Sequence, residues 1–159
     1  MSPQRACQLQ RQYQIPLKQK HGYVVGSPAV ANGPAGEKWM NEFKSSCPDV
    51  FNELDFIAVH YYDTSLDGFK DWIHTLSKFG KPMLVTELAA YSFSGHAQMN
   101  SGQVAGFMKE AISWIMDNDQ ILGVGWTGFM NQLGGVNKLF SGNGLPNQLF
   151  NEYLQLGAA

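Results

Sequence analysis

Three short segments of this chain place chemically capable side chains directly after apolar runs. Val59 leads into His60-Tyr61-Tyr62-Asp63, Val85 into Thr86-Glu87-Leu88, and Gly125 into Trp126-Thr127-Gly128-Phe129. The set comprises a carboxylate, an imidazole with two phenols, and an indole. Glycoside chemistry uses these types: a carboxylate to attack an anomeric carbon, neighbours that orient it by hydrogen bonds, and an aromatic surface beneath the sugar ring. Glu87 stands out, because a carboxylate ending a buried strand is costly unless it is hydrogen-bonded or catalytic. The same chemistry needs a second carboxyl to protonate the leaving oxygen, about 5–5.5 Å away in retaining enzymes. Strand spacing reveals no such partner. Taken singly, each residue keeps a structural reading: Glu87 as a helix cap or lysine partner, His60 as a hydrogen-bonded structural histidine, Trp126 as core in a flat sheet but rim in a barrel. Asp63, Asp67 and Asp71 read as a loop and a solvated helix face. His74 and His96 lack metal-ligand spacing, so no metal site is expected.

The elements that must position these residues alternate in period. Four short apolar runs have the β-type pattern of strands covered on both faces: Tyr23-Val24-Val25-Gly26, Phe56-Ile57-Ala58-Val59, Met83-Leu84-Val85, and Ile121-Leu122-Gly123-Val124-Gly125-Trp126. Between them lie helical stripes. Trp39, Met40, Phe43 and Cys47 form one; Leu66, Phe69, Trp72, Ile73, Leu76 and Phe79 form the next. Val104, Phe107, Met108, Ala111, Trp114 and Ile115 form a third, with Asn100 or Ser101 placed to cap it. Ser2-Pro3 opens a helix that Pro16 ends or kinks, and a last helix follows Pro146. One helix and then four strand–helix units mean an α/β fold with a parallel sheet. The period does not choose between a doubly wound sheet and a barrel, although no Gly-rich phosphate turn follows the first run. A barrel gathers chemistry at the C-terminal ends of its strands, which is where the polar and aromatic residues collect.

Composition narrows the class. The chain has 159 residues, 44% hydrophobic and 15% charged, with a formal net charge of −2. Without a basic run, neither nucleic acid nor a membrane surface is expected as a partner, and no apolar stretch reaches the ~18 residues of a bilayer span. The first ten residues lack the apolar segment of a secretory signal. Cys7 and Cys47 are too few for a disulfide framework and are read as free thiols.

At the strand ends the sequence resembles the C-terminal part of glycoside hydrolase family 128, the alkali-sensitive-linkage-like group. The resemblance is carried by Gly26-Ser27-Pro28-Ala29-Val30-Ala31-Asn32-Gly33, Asp55-Phe56-Ile57-Ala58-Val59-His60-Tyr61-Tyr62, Gly80-Lys81-Pro82-Met83-Leu84-Val85-Thr86-Glu87-Leu88 and Trp126-Thr127-Gly128-Phe129, in that order. It implies the last four strand–helix units of a (β/α)8 TIM barrel, with residues 1–159 as a partial catalytic domain. It also implies retaining cleavage of β-1,3-glucan, an endo-β-1,3-glucanase activity, with Glu87 as nucleophile. His60, Tyr61 and Tyr62 would bond the nucleophile or the sugar, Trp126 would stack, and Ser27 and Asn32 would line the cleft. No cofactor is implied, and the ligand would be β-1,3-glucan or a laminari-oligosaccharide. Location is extracellular or at the fungal cell wall by resemblance.

The family's general acid is the Glu of an Asn-Glu-Pro segment ending the fourth strand, and it has no counterpart here. Asn52-Glu53 precedes a strand, and Asn151-Glu152 lies in the terminal helix. A whole barrel needs about 250 residues, or 200 at the short end. A half-barrel is therefore expected to associate with itself or with an N-terminal half. The alternative is a non-catalytic β-glucan-binding or cell-wall protein that keeps the aromatic cleft.

Overall fold

The computed structural model describes residues 1–128 and 135–156. Three of the apolar runs form a parallel sheet in the order β1 (Ile57–Tyr62), β2 (Met83–Ala89), β3 (Ile121–Trp126). The helical stripes become α5 (Leu66–Ser77) and α6 (Ser101–Met116). Their apolar residues Phe69, Trp72, Ile73, Leu76, Val104, Phe107, Met108 and Ile115 are buried in one core with Ile57, Val59, Met83, Val85 and Leu88 of the sheet. Each such side chain contributes about 1.5–3 kcal/mol by leaving water. Asn100 caps α6 with a reciprocal box: its side chain accepts from Gln103 N at 3.0 Å, and the Gln103 side chain accepts from Asn100 N at 2.9 Å. Trp39 and Trp114 pack against the core but are only partly buried.

The first expected strand does not form. Tyr23 and Val24 are exposed, and only isolated parallel bridges join Gly26 to Phe56 and Val30 to Val59. The segment is an edge rather than a strand. Asp55 N donates to Val25 O at 2.8 Å and Ser27 N to Phe56 O at 3.0 Å, but Pro28 has no N–H with which to continue the ladder. Asp55 clamps this edge, its carboxylate accepting from Val25 N at 2.8 Å and from Lys18 Nζ at 2.6 Å. Gly26 lets the Phe56 ring lie over it, since a Cβ would come within 2.3 Å of that ring and force it to shift.

At the N-terminus Ser2 accepts from Arg5 N and opens α1 (Pro3–Leu9). Pro16 does not stop the helical path. A π turn over Gln10–Gln14 leads into α2 (Ile15–His21), and the wider turn absorbs the donor that Pro16 lacks. The path ends at Gly22, where φ is 70°.

The free-thiol reading is corrected by a disulfide between Cys7 and Cys47, with Cα atoms 6.1 Å apart. It joins α1 to the junction of α3 (Pro34–Ser46) and α4 (Pro48–Glu53). A count of two cysteines carries no information about their distance after folding. Here α1 packs on α3 and buries both sulfurs.

Candidate active site

Glu87 faces the same side of the sheet as His60 because of an irregularity in the ladder. Val85 pairs with Val59 but Glu87 pairs with His60, so Thr86 is an extra residue in β2. Strand side chains alternate between faces. With regular alternation and no register shift, Glu87 would share the face of buried Met83 and Val85. The bulge turns it away from the helices, as bulges beside active sites do.

Two donors then converge on one carboxylate oxygen. Tyr62 Oη donates to Glu87 Oε2 at 2.5 Å, and His60 Nδ1 lies 3.1 Å from the same atom. Thr127 Oγ1 is 3.5 Å from Tyr62 Oη, and Asn32 Oδ1 accepts from Tyr62 N at 3.2 Å. Residues ending three neighbouring segments are thus drawn together. Burial pushes the His60 pKa below its ordinary value, and the Glu87 charge opposes that shift without cancelling it. A neutral imidazole with its proton on Nδ1 is the form that donates to a carboxylate. Burial, followed by the hydrogen bond to Glu87, pushes Tyr62 up to about 12, so it stays a donor at any pH of interest.

Three expected site residues are not brought to this cluster. Tyr61 points to the helix side, buried against Phe69, with its hydroxyl donating to Ser65 O at 2.8 Å. Trp126 is only 4% exposed. It lies 6.3 Å from the Phe107 ring of α6 and donates from Nε1 to Asn137 O. Its indole is core, and the next residue, Thr127, is the one whose hydroxyl reaches the Tyr62 Oη beside Glu87. Ser27 is buried below the rim, where its Oγ accepts from Ala58 N and donates to Pro28 O. Phe129 lies outside the described residues.

Other residues near the cluster were passed over by sequence reasoning. Phe93, 65% exposed, lies 5.5 Å from the Tyr62 ring at 70° and 4.9 Å from Tyr91 at 66°. Its loop is tied down. Ser92 Oγ accepts from Ser94 N and His96 N, and the Gln98 amide bridges Ser92 N and O. His96 Nδ1 lies 2.9 and 3.1 Å from the two Asp63 oxygens, which fastens the loop to the end of β1. The available signal was position: residues 91–96 follow directly on a strand whose end already carried Glu87. Among the described residues no three His, Cys, Asp or Glu side chains gather as a metal site.

A parallel sheet backed by helices, with a carboxylate at a strand end, fits the known proteins that this chain resembles. The model of the glycosyl hydrolase catalytic core matches residues 1–153. The chain belongs to that family, within glycoside hydrolase family 128. It is 32% identical over 139 residues to alkali-sensitive linkage protein 1 of Schizosaccharomyces pombe, covering 84% of this chain and 25% of that one. A family 128 (subgroup V) exo-β-1,3-glucanase from Cryptococcus neoformans superposes with a TM-score of 0.86 at 25% identity, over 100% of this chain and 65% of its own. A subgroup I endo-β-1,3-glucanase from Amycolatopsis mediterranei, in complex with laminaritriose, gives 0.79 at 23% identity, over 99% and 66%. The chain therefore spans a quarter of the curated relative and just under two thirds of these solved chains.

Proposed function

We propose that this chain is the nucleophile-bearing part of a retaining β-1,3-glucan hydrolase, with Glu87 as nucleophile. The observation that carries the reading is the pair of contacts on Glu87 Oε2, from Tyr62 Oη and His60 Nδ1. They hold the carboxylate by one oxygen and leave Oε1 as the attacking atom. In the first step Oε1 forms a bond to the anomeric carbon as the glycosidic C–O bond breaks, and the leaving oxygen takes a proton from an acid. Water then cleaves the glycosyl ester and restores the carboxylate. Resemblance to the family assigns the acid to an Asn-Glu-Pro segment of the first half of the barrel. On this reading, residues 1–159 are the last four strand–helix units, the first of them reduced to an edge. The surface bearing Glu87 is then the barrel interior, which an N-terminal half or a second copy covers. The buried disulfide supports an extracellular or wall location, because such bonds persist in oxidising compartments.

A second reading is favoured by the single carboxylate that the described residues place in the Glu87 cluster: a glucan-binding protein that does not cut. Reducing-end release from a linear β-1,3-glucan separates the two. It is measured for the chain alone, for Glu87→Gln, and for the chain mixed with an N-terminal half-barrel bearing the Asn-Glu-Pro segment. Turnover in the mixture that is lost with Glu87→Gln supports the hydrolase. A mixture whose turnover is indifferent to Glu87→Gln overturns it. Oligosaccharide binding with no turnover in any arm favours the second reading.

A further inference from the structure

The structure buries Trp126 in the core, so the aromatic surface that the chemistry asks for has to be sought elsewhere among the described residues. We infer that Phe93 is that surface, stacking on the C–H face of a glucosyl unit beside Glu87; this rests on the reading of Glu87 as a glucan-directed carboxylate.

Three observations carry it. Phe93 is a large apolar ring left mostly in water on a loop of four short-range side-chain hydrogen bonds and an Asp63–His96 contact. A loop built only to connect β2 with α6 has no need to hold an exposed phenyl in place. Tyr62 and Tyr91 both meet the ring at steep angles, edge contacts that hold its plane before any ligand arrives. Tyr62 also donates to Glu87 Oε2. The phenyl and the carboxylate therefore both contact one phenol, the ring at 5.5 Å from its centroid and the carboxylate at its hydroxyl. A β-linked glucosyl unit presents ring C–H groups on its faces and hydroxyls round its edge. Phenylalanine suits the faces and offers nothing to the edge, so it selects for the flat, all-equatorial sugar and leaves hydroxyl readout to His60, Tyr62 and Thr127.

The test is calorimetric titration of the full chain with laminarihexaose, in a Glu87→Gln background so that ligand is not consumed. Phe93→Ala is expected to weaken binding about fivefold to tenfold, the size of one aromatic contact. Phe93→Tyr and Phe93→Trp restore it, while Phe93→Leu, apolar but without a π face, does not. Circular dichroism of each variant should match the background, since the ring is exposed. If Phe93→Ala binds like the background, this inference falls and the Glu87 reading stands. If Phe93→Leu binds as well as phenylalanine, stacking is wrong and the residue is only apolar filler. If the background shows no heat with laminarihexaose while Glu87→Gln has no effect on turnover in the mixed-half assay, both readings fall together.

Discussion

Glu87 is held by neighbours whose protonation states differ for stated reasons, and these can be probed one at a time. Replacing Tyr62 with Phe removes a hydrogen bond to a charged group. Such bonds contribute about 1.5–3 kcal/mol, but the Glu87 side chain is 37% exposed, and solvent screening reduces the loss to about 1 kcal/mol. Urea unfolding should show that loss for Tyr62→Phe and a smaller one for Thr127→Val, whose contact is 3.5 Å long. His60 gives a pH signature. Its folded pKa is depressed from 6.5 by burial, so folding favours the neutral ring. The associated stability is complete above 6.5 and is lost as pH falls from there through the folded pKa. The imidazole proton shifts in NMR should therefore titrate below 6.5. Glu87→Gln, which removes the attraction opposing burial, should move that midpoint lower still.

The strands and helices were largely legible because their apolar runs and stripes have unambiguous periods. The stripe of Leu66, Phe69, Trp72, Ile73 and Leu76 is the buried face of α5, and Asn100 is the cap of α6. What a period cannot reveal is phase. The extra residue at Thr86 leaves no mark in composition, yet it decides that Glu87 faces His60. Tyr61 and Trp126 stand at strand ends beside Tyr62 and Thr127 yet are buried in the core, because position along the chain alone does not fix which face a side chain takes. Edges are also poorly marked: Val24 and Val25 look like a strand until Pro28 is seen to interrupt pairing. The loop from β2 to α6 makes its own prediction. Burial opposes the charge of Asp63, but bonds from His96 and Thr64 N outweigh it, and its carboxyl lies below 3.8. A depressed carboxylate stabilises above its unfolded value and loses that contribution as pH falls through the folded one. Protection of the Ser94 and His96 amides, taken relative to their intrinsic exchange rates, should thus fall once pH drops below about 4, and Asp63→Asn should show low protection already at pH 6.

On the scale of the whole molecule, the Cys7–Cys47 bond closes a loop of 40 residues. By chain entropy such a bond adds about 4 kcal/mol. The double variant Cys7→Ser, Cys47→Ser should lose about 3–4 kcal/mol in urea unfolding, and the same protein made in a reducing cytosol should behave like the variant. The larger consequence comes from apolar side chains left in water: among the described residues Val24 is 71% and Leu122 59% exposed, and Tyr23 is exposed too. Burying them against a partner would be driven by water release, whose strength rises with temperature and whose mark is a negative heat-capacity change. Sedimentation runs between 5 and 35 °C should show association tightening on warming and loosening in the cold. Leu122→Ser should flatten that dependence. Refrigeration, usually the means of keeping a protein intact, would then be what takes this one apart into single copies.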